Sequence, residues 1–443
     1  AEMGGTVISP DLQSPAEPAV RKREVFGYCM FDFANSSYTT LITTVAYALY
    51  FKEVVAGEAA NGDFLWSVAK SLAMVVLIVT SPVFGALADH SGRKKAFLGL
   101  TTLMTILACA ALWFVTPGAV ALGIALFVVG SVGFEGGYVF YNAFLPEIST
   151  PQTIGRVSGW SWGTGFIGGL AALVVCSPFL AAPLRDAAGE LVPEAVASWR
   201  LSFVVVAAFF TLFAIPTFAF LKERTVRRPI RPFGRFVTQG FRRVQSTFRH
   251  LQNYRDAARL TASAFFFYGA IQTIIAFSAI YARETLGMEM KELLSLMIVS
   301  NLVAVPGTLF AGYLADWIGM KRALMATLLF WFVLLLYGSV ITSKLLFWFM
   351  AGGVAIGMGS TQAIARSFMA QLSPKDKESE FFGFYILAGQ AGAIFSLLVF
   401  GFVSSFMGGQ RWAVLVTAPA FLIATLLAAR ISPKPNVSST LDP

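Results

Sequence analysis

Apolar runs of about 20 residues, the length of helix that crosses a bilayer, recur along this chain between short charged or Pro/Gly-rich breaks. That single feature constrains the fold most. In hydrocarbon every backbone N–H and C=O must be satisfied within the segment, so such runs become helices packed side by side. They predict spans at 25–51, 64–89, 96–116, 119–143, 157–181, 200–222, 258–283, 292–316, 323–342, 345–370, 381–406 and 411–431. Composition agrees: 56% of the residues are apolar and 13% charged, against about 25% charged in soluble domains. The three cysteines, Cys29, Cys109 and Cys176, stand far apart inside apolar runs, which indicates packed thiols rather than disulfides or a metal site.

Lysine and arginine orient the spans. Arg21–Arg23, Arg93, Lys94, Lys95, Arg156, Lys321, Arg322, Lys375, Lys377, Arg430 and Lys434 fall on the side that carries both chain ends, as do the many cations of 222–259. The opposite side has only Lys52, Arg185, Arg200, Arg283, Lys291, Lys344 and Arg411. By the positive-inside rule both termini are cytoplasmic. The net charge of +9 then points to anionic lipid at the cytoplasmic face and not to nucleic acid. Expected units are a tail at 1–24, a helical bundle at 25–222, a basic linker at 223–257, a second bundle at 258–431 and a tail at 432–443. Within the linker, Phe233, Phe236, Val237, Phe241, Val244 and Phe248 recur at helical spacing among Arg242, Arg243 and Arg249, the pattern of a helix lying on a membrane surface.

The two bundles repeat each other. Span two ends Gly85-Ala-Leu87-Ala88-Asp89, followed by Gly92, Arg93, Lys94 and Lys95; span eight ends Gly312-Tyr-Leu314-Ala315-Asp316, followed by Gly319, Lys321 and Arg322. Gly159, Gly165 and Gly168 of span five match Gly383, Gly389 and Gly392 of span eleven, and Gly133 matches Gly357. A duplicated six-helix unit is the plan of major facilitator transporters, whose substrate site lies between the halves.

Gly85–Lys95 resembles the signature loop of that superfamily, and Gly312–Arg322 its second copy. More narrowly, Phe31-Asp32-Phe33-Ala34-Asn35-Ser36, Tyr141-Asn142-Ala143-Phe144-Leu145-Pro146-Glu147, Arg156-Val157-Ser158-Gly159 and Glu380-Phe381-Phe382-Gly383-Phe384-Tyr385 resemble motifs of the vacuolar amino-acid effluxer (autophagy-related protein 22-like) group and its bacterial members. Phe31 stands where that group suggests Tyr. The resemblance implies an all-α integral membrane protein of 12 transmembrane helices in two pseudo-symmetric six-helix bundles, sited in a bacterial inner membrane. It implies a gate as well. Asp89 would accept hydrogen bonds from backbone N–H groups at the start of span eleven near Phe381, and Asp316 from the start of span five near Val157. Gly92, Arg93, Lys94, Gly319 and Lys321 belong to the same turns.

Charges within spans are costly and mark cavities or partners. Asp32, Lys70, Glu135 and Arg366 are such groups. Asp32 and Glu135 sit at matched depth, about 10 Å from the cytoplasmic edge, on two spans that line one cavity in this fold, and are expected to act as a facing acid pair that carries a proton. Arg366 either snorkels, pairs across the halves with Asp32 or Glu135, or holds a substrate carboxylate. Asn35, one turn from Asp32, and Gln272 and Gln362 are candidate lining groups, as are Asn301 and Gln390; Trp160 and Trp162 read as an interfacial aromatic belt.

Other chemistries find no support. Gly163-Thr-Gly165-Phe-Ile-Gly168 fits a dinucleotide pattern but follows no strand. There is no P-loop, and His90 and His250 stand alone, so neither enzyme, metal site nor cofactor is expected. The sequence therefore reads as a monomeric, proton- or ion-coupled secondary transporter of a small amino-acid or peptide-like solute. An exporter of lipid or hydrophobic drug, which the 42 phenylalanines suit, and a non-transporting receptor are the rival readings.

Overall fold

The computed structural model describes residues 21–57, 62–224, 242, 245–246, 251–284, 286–375, 377–406 and 410–432. Long helices dominate: α1 (Lys22–Ser37), α2 (Gly62–Ser91), α3 (Lys94–Ala111), α4 (Val120–Asn142), α5 (Ile154–Leu180), α6 (Pro193–Phe220), α7 (Arg255–Glu284), α8 (Met290–Ile318), α9 (Met320–Val340), α10 (Lys344–Leu372), α11 (Glu378–Phe406) and α12 (Gln410–Ala429). Among the described residues nine of these, α2 to α6 and α8 to α11, are long and apolar enough to cross a membrane, and Leu415–Ala429 of α12 is a shorter apolar stretch. Their outer faces carry exposed Leu, Val and Phe, among them Leu103, Val174, Phe310 and Leu398, the surface that lipid wets. The proposed surface helix of 233–254 lies for the most part outside the described residues, as do the two tails, 21–24 and 432 excepted.

Helix α1 does not stay α-helical. It continues as a π-helical run at Tyr38–Val45, a short α piece at Ala46–Tyr50 and a second π turn at Phe51–Val55. Local sequence explains the widening. Thr39, Thr40, Thr43 and Thr44 crowd one stretch, and the Thr44 hydroxyl donates to the Thr39 carbonyl at 2.9 Å, competing with the α ladder. Tertiary bonds hold the result: Tyr47 donates to the Gly123 carbonyl at 2.9 Å and Tyr50 to the Val115 carbonyl at 2.8 Å.

Helices approach most closely where the sequence repeat placed its glycines. A side chain at Gly168 of α5 would collide with the Phe33 carbonyl of α1, and one at Gly392 of α11 with the Phe265 carbonyl of α7. Across the two halves of the chain, Gly159 abuts Thr308 and Gly312 of α8, and Gly383 abuts Ser81 and Pro82 of α2. Small residues thus let backbones meet, the usual means of packing helices in lipid. Matched positions of the repeat make matched contacts.

Candidate functional site

Two polar layers join the first six helices to the last six. The inner layer centres on Asp32 of α1 and Arg366 of α10, both buried. The Arg366 Nη1 donates to Asp32 Oδ2 at 3.2 Å. The guanidinium also binds α5: Nε donates to the Ser158 hydroxyl and Nη2 to the Ser158 carbonyl, each at 2.9 Å. The Ser158 hydroxyl passes its own proton to the Ala363 carbonyl of α10 at 2.8 Å. On the other side of the ion pair, the Ser161 hydroxyl donates to Asp32 Oδ2 and accepts from the Tyr141 hydroxyl, which also lies 2.9 Å from the Tyr28 carbonyl. The rings of Tyr28, Tyr141 and Trp162 each lie 5.7 Å from the guanidinium carbon. A buried arginine needs this density of acceptors and ring faces, since an unpaired charge in low dielectric is strongly destabilising. Arg366 thus pairs across the halves with Asp32 rather than snorkelling.

Asn35 sits one helical turn above Asp32; its Oδ1 accepts from the Tyr138 hydroxyl at 3.3 Å, while its buried Nδ2 has no partner. Glu135, a turn from Tyr138 on α4, is met by Gln390 of α11. Each acid of the expected Asp32–Glu135 pair has a partner on the opposite half: α10 brings a cation to Asp32 and α11 an amide to Glu135. Gln272 of α7 donates to Tyr268 at 3.4 Å. Gln362 is half-buried on α10, and Asn301 donates back to the Met297 carbonyl of its own helix at 2.9 Å. Lys70 lies over the Trp66 ring at 5.5 Å, near the far end of α2 from Asp89. Trp162 stands in the Arg366 site rather than in the expected belt, while Trp160 packs against the exposed Tyr313.

The outer layer lies at the face where α1 begins and α12 ends. Asp89 accepts from the backbone N–H groups of Ser379 and Glu380, at 3.2 and 2.8 Å, in the first turn of α11. Asp316 accepts from those of Gly155 and Arg156, at 2.8 and 3.0 Å, in the first turn of α5, and from Arg156 Nε at 2.9 Å. Each carboxylate sits where a helix exposes unpaired N–H groups and a positive dipole end. Gly92 and Gly319, at φ of 61° and 90°, turn the chain sharply after each acid, a backbone conformation that side chains disfavour. Lys94 is buried between Glu147 at 3.2 Å, Glu378 at 2.9 Å and, more distantly, Asp89 at 3.9 Å. Burial pushes the Glu147 carboxyl above the usual carboxylate range, with Lys94 pulling it back. Arg93 has a buried Nε without a partner, and Lys321 donates to the Ile431 carbonyl beyond α12 at 2.7 Å, away from the Asp316 contact.

Ser158, Ser161, Glu378 and the ring faces of Tyr28, Tyr141 and Trp162 complete these layers without having stood out as site residues in the sequence. Glu147 and Ser158 lay inside motifs already noticed. Serines in a helix carry no signal of their own until a partner helix is placed against them.

The chain matches the family model of the vacuole effluxer Atg22-like proteins over residues 64–434. The uncharacterized MFS-type transporter YxiO of Bacillus subtilis is 28% identical, over 93% of this chain and 95% of that protein. Autophagy-related protein 22 of Coccidioides immitis is 19% identical, over 86% and 72%. Among solved structures, the major facilitator transporter FucP of Escherichia coli in the outward conformation superimposes with a TM-score of 0.73 at 15% identity, covering 93% of this chain and 98% of that one. With the duplicated helix-capping aspartates and the buried ion pair already in place, the family match settles the class: the chain is an integral membrane protein of the Atg22-like branch of major facilitator transporters.

Proposed function

We propose that this protein is a proton-coupled secondary transporter that moves a small amino-acid or peptide-like solute by alternating access, with twelve spans in two pseudo-symmetric bundles, both termini cytoplasmic, in a bacterial inner membrane. One observation carries the reading: the buried Asp32–Arg366 pair ties a helix of the first half to a helix of the second. A buried structural ion pair is costly, whereas one that opens and closes during a cycle has a use. FucP, a fucose:proton symporter, has the same fold, and the family description is that of an effluxer, which supports coupled transport of a solute.

In this reading both outer contacts are made, so the cytoplasmic side is closed. A proton reaching Asp32 removes its charge and frees Arg366. Arg366 then turns to an anionic group of the solute, Ser158 loses its guanidinium, and α5 and α10 separate. Parting Asp89 from α11 and Asp316 from α5 opens the cytoplasmic side. The test is transport in liposomes holding the purified chain. A pH gradient should drive uptake of a labelled amino acid by the native protein. Asp32→Asn should lose that drive and retain exchange at equal concentrations, because exchange moves no net proton. If Asp32→Asn keeps full pH-driven uptake, Asp32 is not the carrier; if no solute exchanges in the native protein, the transporter reading fails.

A further inference from the structure

We infer that the solute is held at Arg366 by a carboxylate, recognised by a ring of N–H donors, and that an amino group on the solute is dispensable. The inference rests on the transporter reading and deepens it. Three observations carry it. Asn35 is 1% exposed, and its Nδ2 has no acceptor although its Oδ1 is engaged by Tyr138. Trp162, whose ring lies 5.7 Å from the Arg366 guanidinium, has a buried Nε1 with no acceptor either. Arg366 itself has five N–H bonds, of which three go to Asp32 and Ser158.

Buried N–H groups are almost always paired, so orphaned ones in a native protein call for an explanation. Two of them belong to the neighbourhood of the Asp32–Arg366 pair. Asn35 lies a turn from Asp32 on the same face of α1, and Trp162 a single residue beyond Ser161 on α5. A ligand that satisfies them must bring acceptors, and next to an arginine fork those acceptors are best carried by an anion. Its charge is set by the site. Once Asp32 is protonated, Arg366 offers one positive charge; a carboxylate matches it, while a doubly charged phosphate leaves excess charge buried in low dielectric. None of these donors calls for an ammonium group, and Glu135, the remaining acid of the candidate site, is already met by Gln390. The carboxylate takes the place at Arg366 that Asp32 holds in this structure.

The test uses the purified full-length protein in detergent and matched triplets of an amino acid, its des-amino carboxylic acid and its carboxamide, with aliphatic, aromatic and polar side chains. For at least one side chain, the amino acid and the des-amino acid should both raise Tm, and the carboxamide should not. Trp162→Phe removes one donor and should weaken both carboxylates by about 10- to 100-fold. Asn35→Asp is nearly isosteric, keeps an acceptor for Tyr138, and replaces the donor by a negative charge; it should abolish carboxylate binding. Since either variant could also perturb folding, each is first checked for a ligand-free Tm like that of the native protein, and the deciding readout is the native protein's discrimination between acid and carboxamide. A carboxamide that binds as tightly as its acid, or triplets of which no member binds, overturns the inference. Counterflow in liposomes separates it from the reading beneath. Exchange of a solute without a carboxylate sinks the inference and leaves the transporter standing. Carboxylate binding with no exchange sinks the transporter reading and leaves the site standing.

Discussion

Replacing Asp89 by Asn tests the outer layer with a single atom. The two N–H groups of Ser379 and Glu380 lie 3.2 and 2.8 Å from its carboxylate oxygens, and hydrogen bonds to a charged group contribute about 1.5–3 kcal/mol each. Asparagine keeps one neutral acceptor, contributing about 1 kcal/mol, and turns an NH2 toward the second N–H. Lys94 retains Glu147 and Glu378, so no orphaned cation confuses the result. When the cytoplasmic side opens, water solvates either side chain, so the loss falls on the closed state alone. A net loss of about 2–5 kcal/mol moves the open-to-closed ratio by about 30- to 5000-fold. Ser81 reports it: its side chain is buried in the contact of α2 with α11, donating to the Gly383 carbonyl at 3.2 Å. With Cys29, Cys109 and Cys176 replaced, a Ser81→Cys probe is labelled by an impermeant maleimide added to inverted vesicles, at a rate that follows the open population. Asp89→Asn should raise that rate by the stated factor, up to a ceiling once opening is no longer rare. Equal rates with Asp and Asn at 89 would refute the gate.

The remaining predictions are more compact. Asp316→Asn loses two backbone donors and Arg156 Nε, so it should raise Ser81→Cys labelling by a similar factor, and the double variant should combine the two effects roughly additively. Arg366→Met strands Asp32 and should lower thermal stability by about 3–5 kcal/mol, and adding Asp32→Asn should restore most of it; no rescue in a thermal-denaturation series would contradict the pairing. Lys94→Met leaves Glu147 and Glu378 without their cation. Because burial already holds the Glu147 carboxyl above its ordinary range, folding of this variant favours the protonated acid, so its stability deficit should shrink as pH falls and grow as pH rises; a deficit independent of pH would count against it. Gly168→Ala and Gly392→Ala place a methyl group against a backbone carbonyl of the neighbouring helix, and each should lower the yield of folded protein on size-exclusion chromatography.

Much of this arrangement was readable from residue order because membrane helices announce themselves by hydropathy and capping acids by their place at a helix end. Asp89 and Asp316 met the helices expected, within two residues of the positions named. The burial of Asp32 was legible too, since charges in apolar runs have few options. What sequence did not contain was rotation. Asp32 and Glu135 share a depth, yet whether they face each other depends on the angular setting of α1 and α4, which interhelical packing decides. The same holds for Trp162: an indole near a helix end satisfies a membrane interface or a buried cation equally well, and the approach of α10 to α5 selects the second. The π-helical continuation of α1 was hidden because its cause is partly tertiary, in the tyrosine hydroxyls that bind α4 and the segment before it.

Helices α5 and α11 are finished at their first turns by acids from the opposite half of the molecule. Thr153, at the N-cap of α5, supplies no side-chain cap, and Asp316 does so instead. Parting the halves therefore leaves two bare helix ends, and only solvent can take over the exposed N–H groups. Opening and local hydration become one event, with a definite uptake of water molecules. On the proposed alternating-access cycle, the conformational equilibrium would be tied to water activity: excluded osmolytes that draw water from the cleft would favour the capped arrangement, independently of any solute or proton.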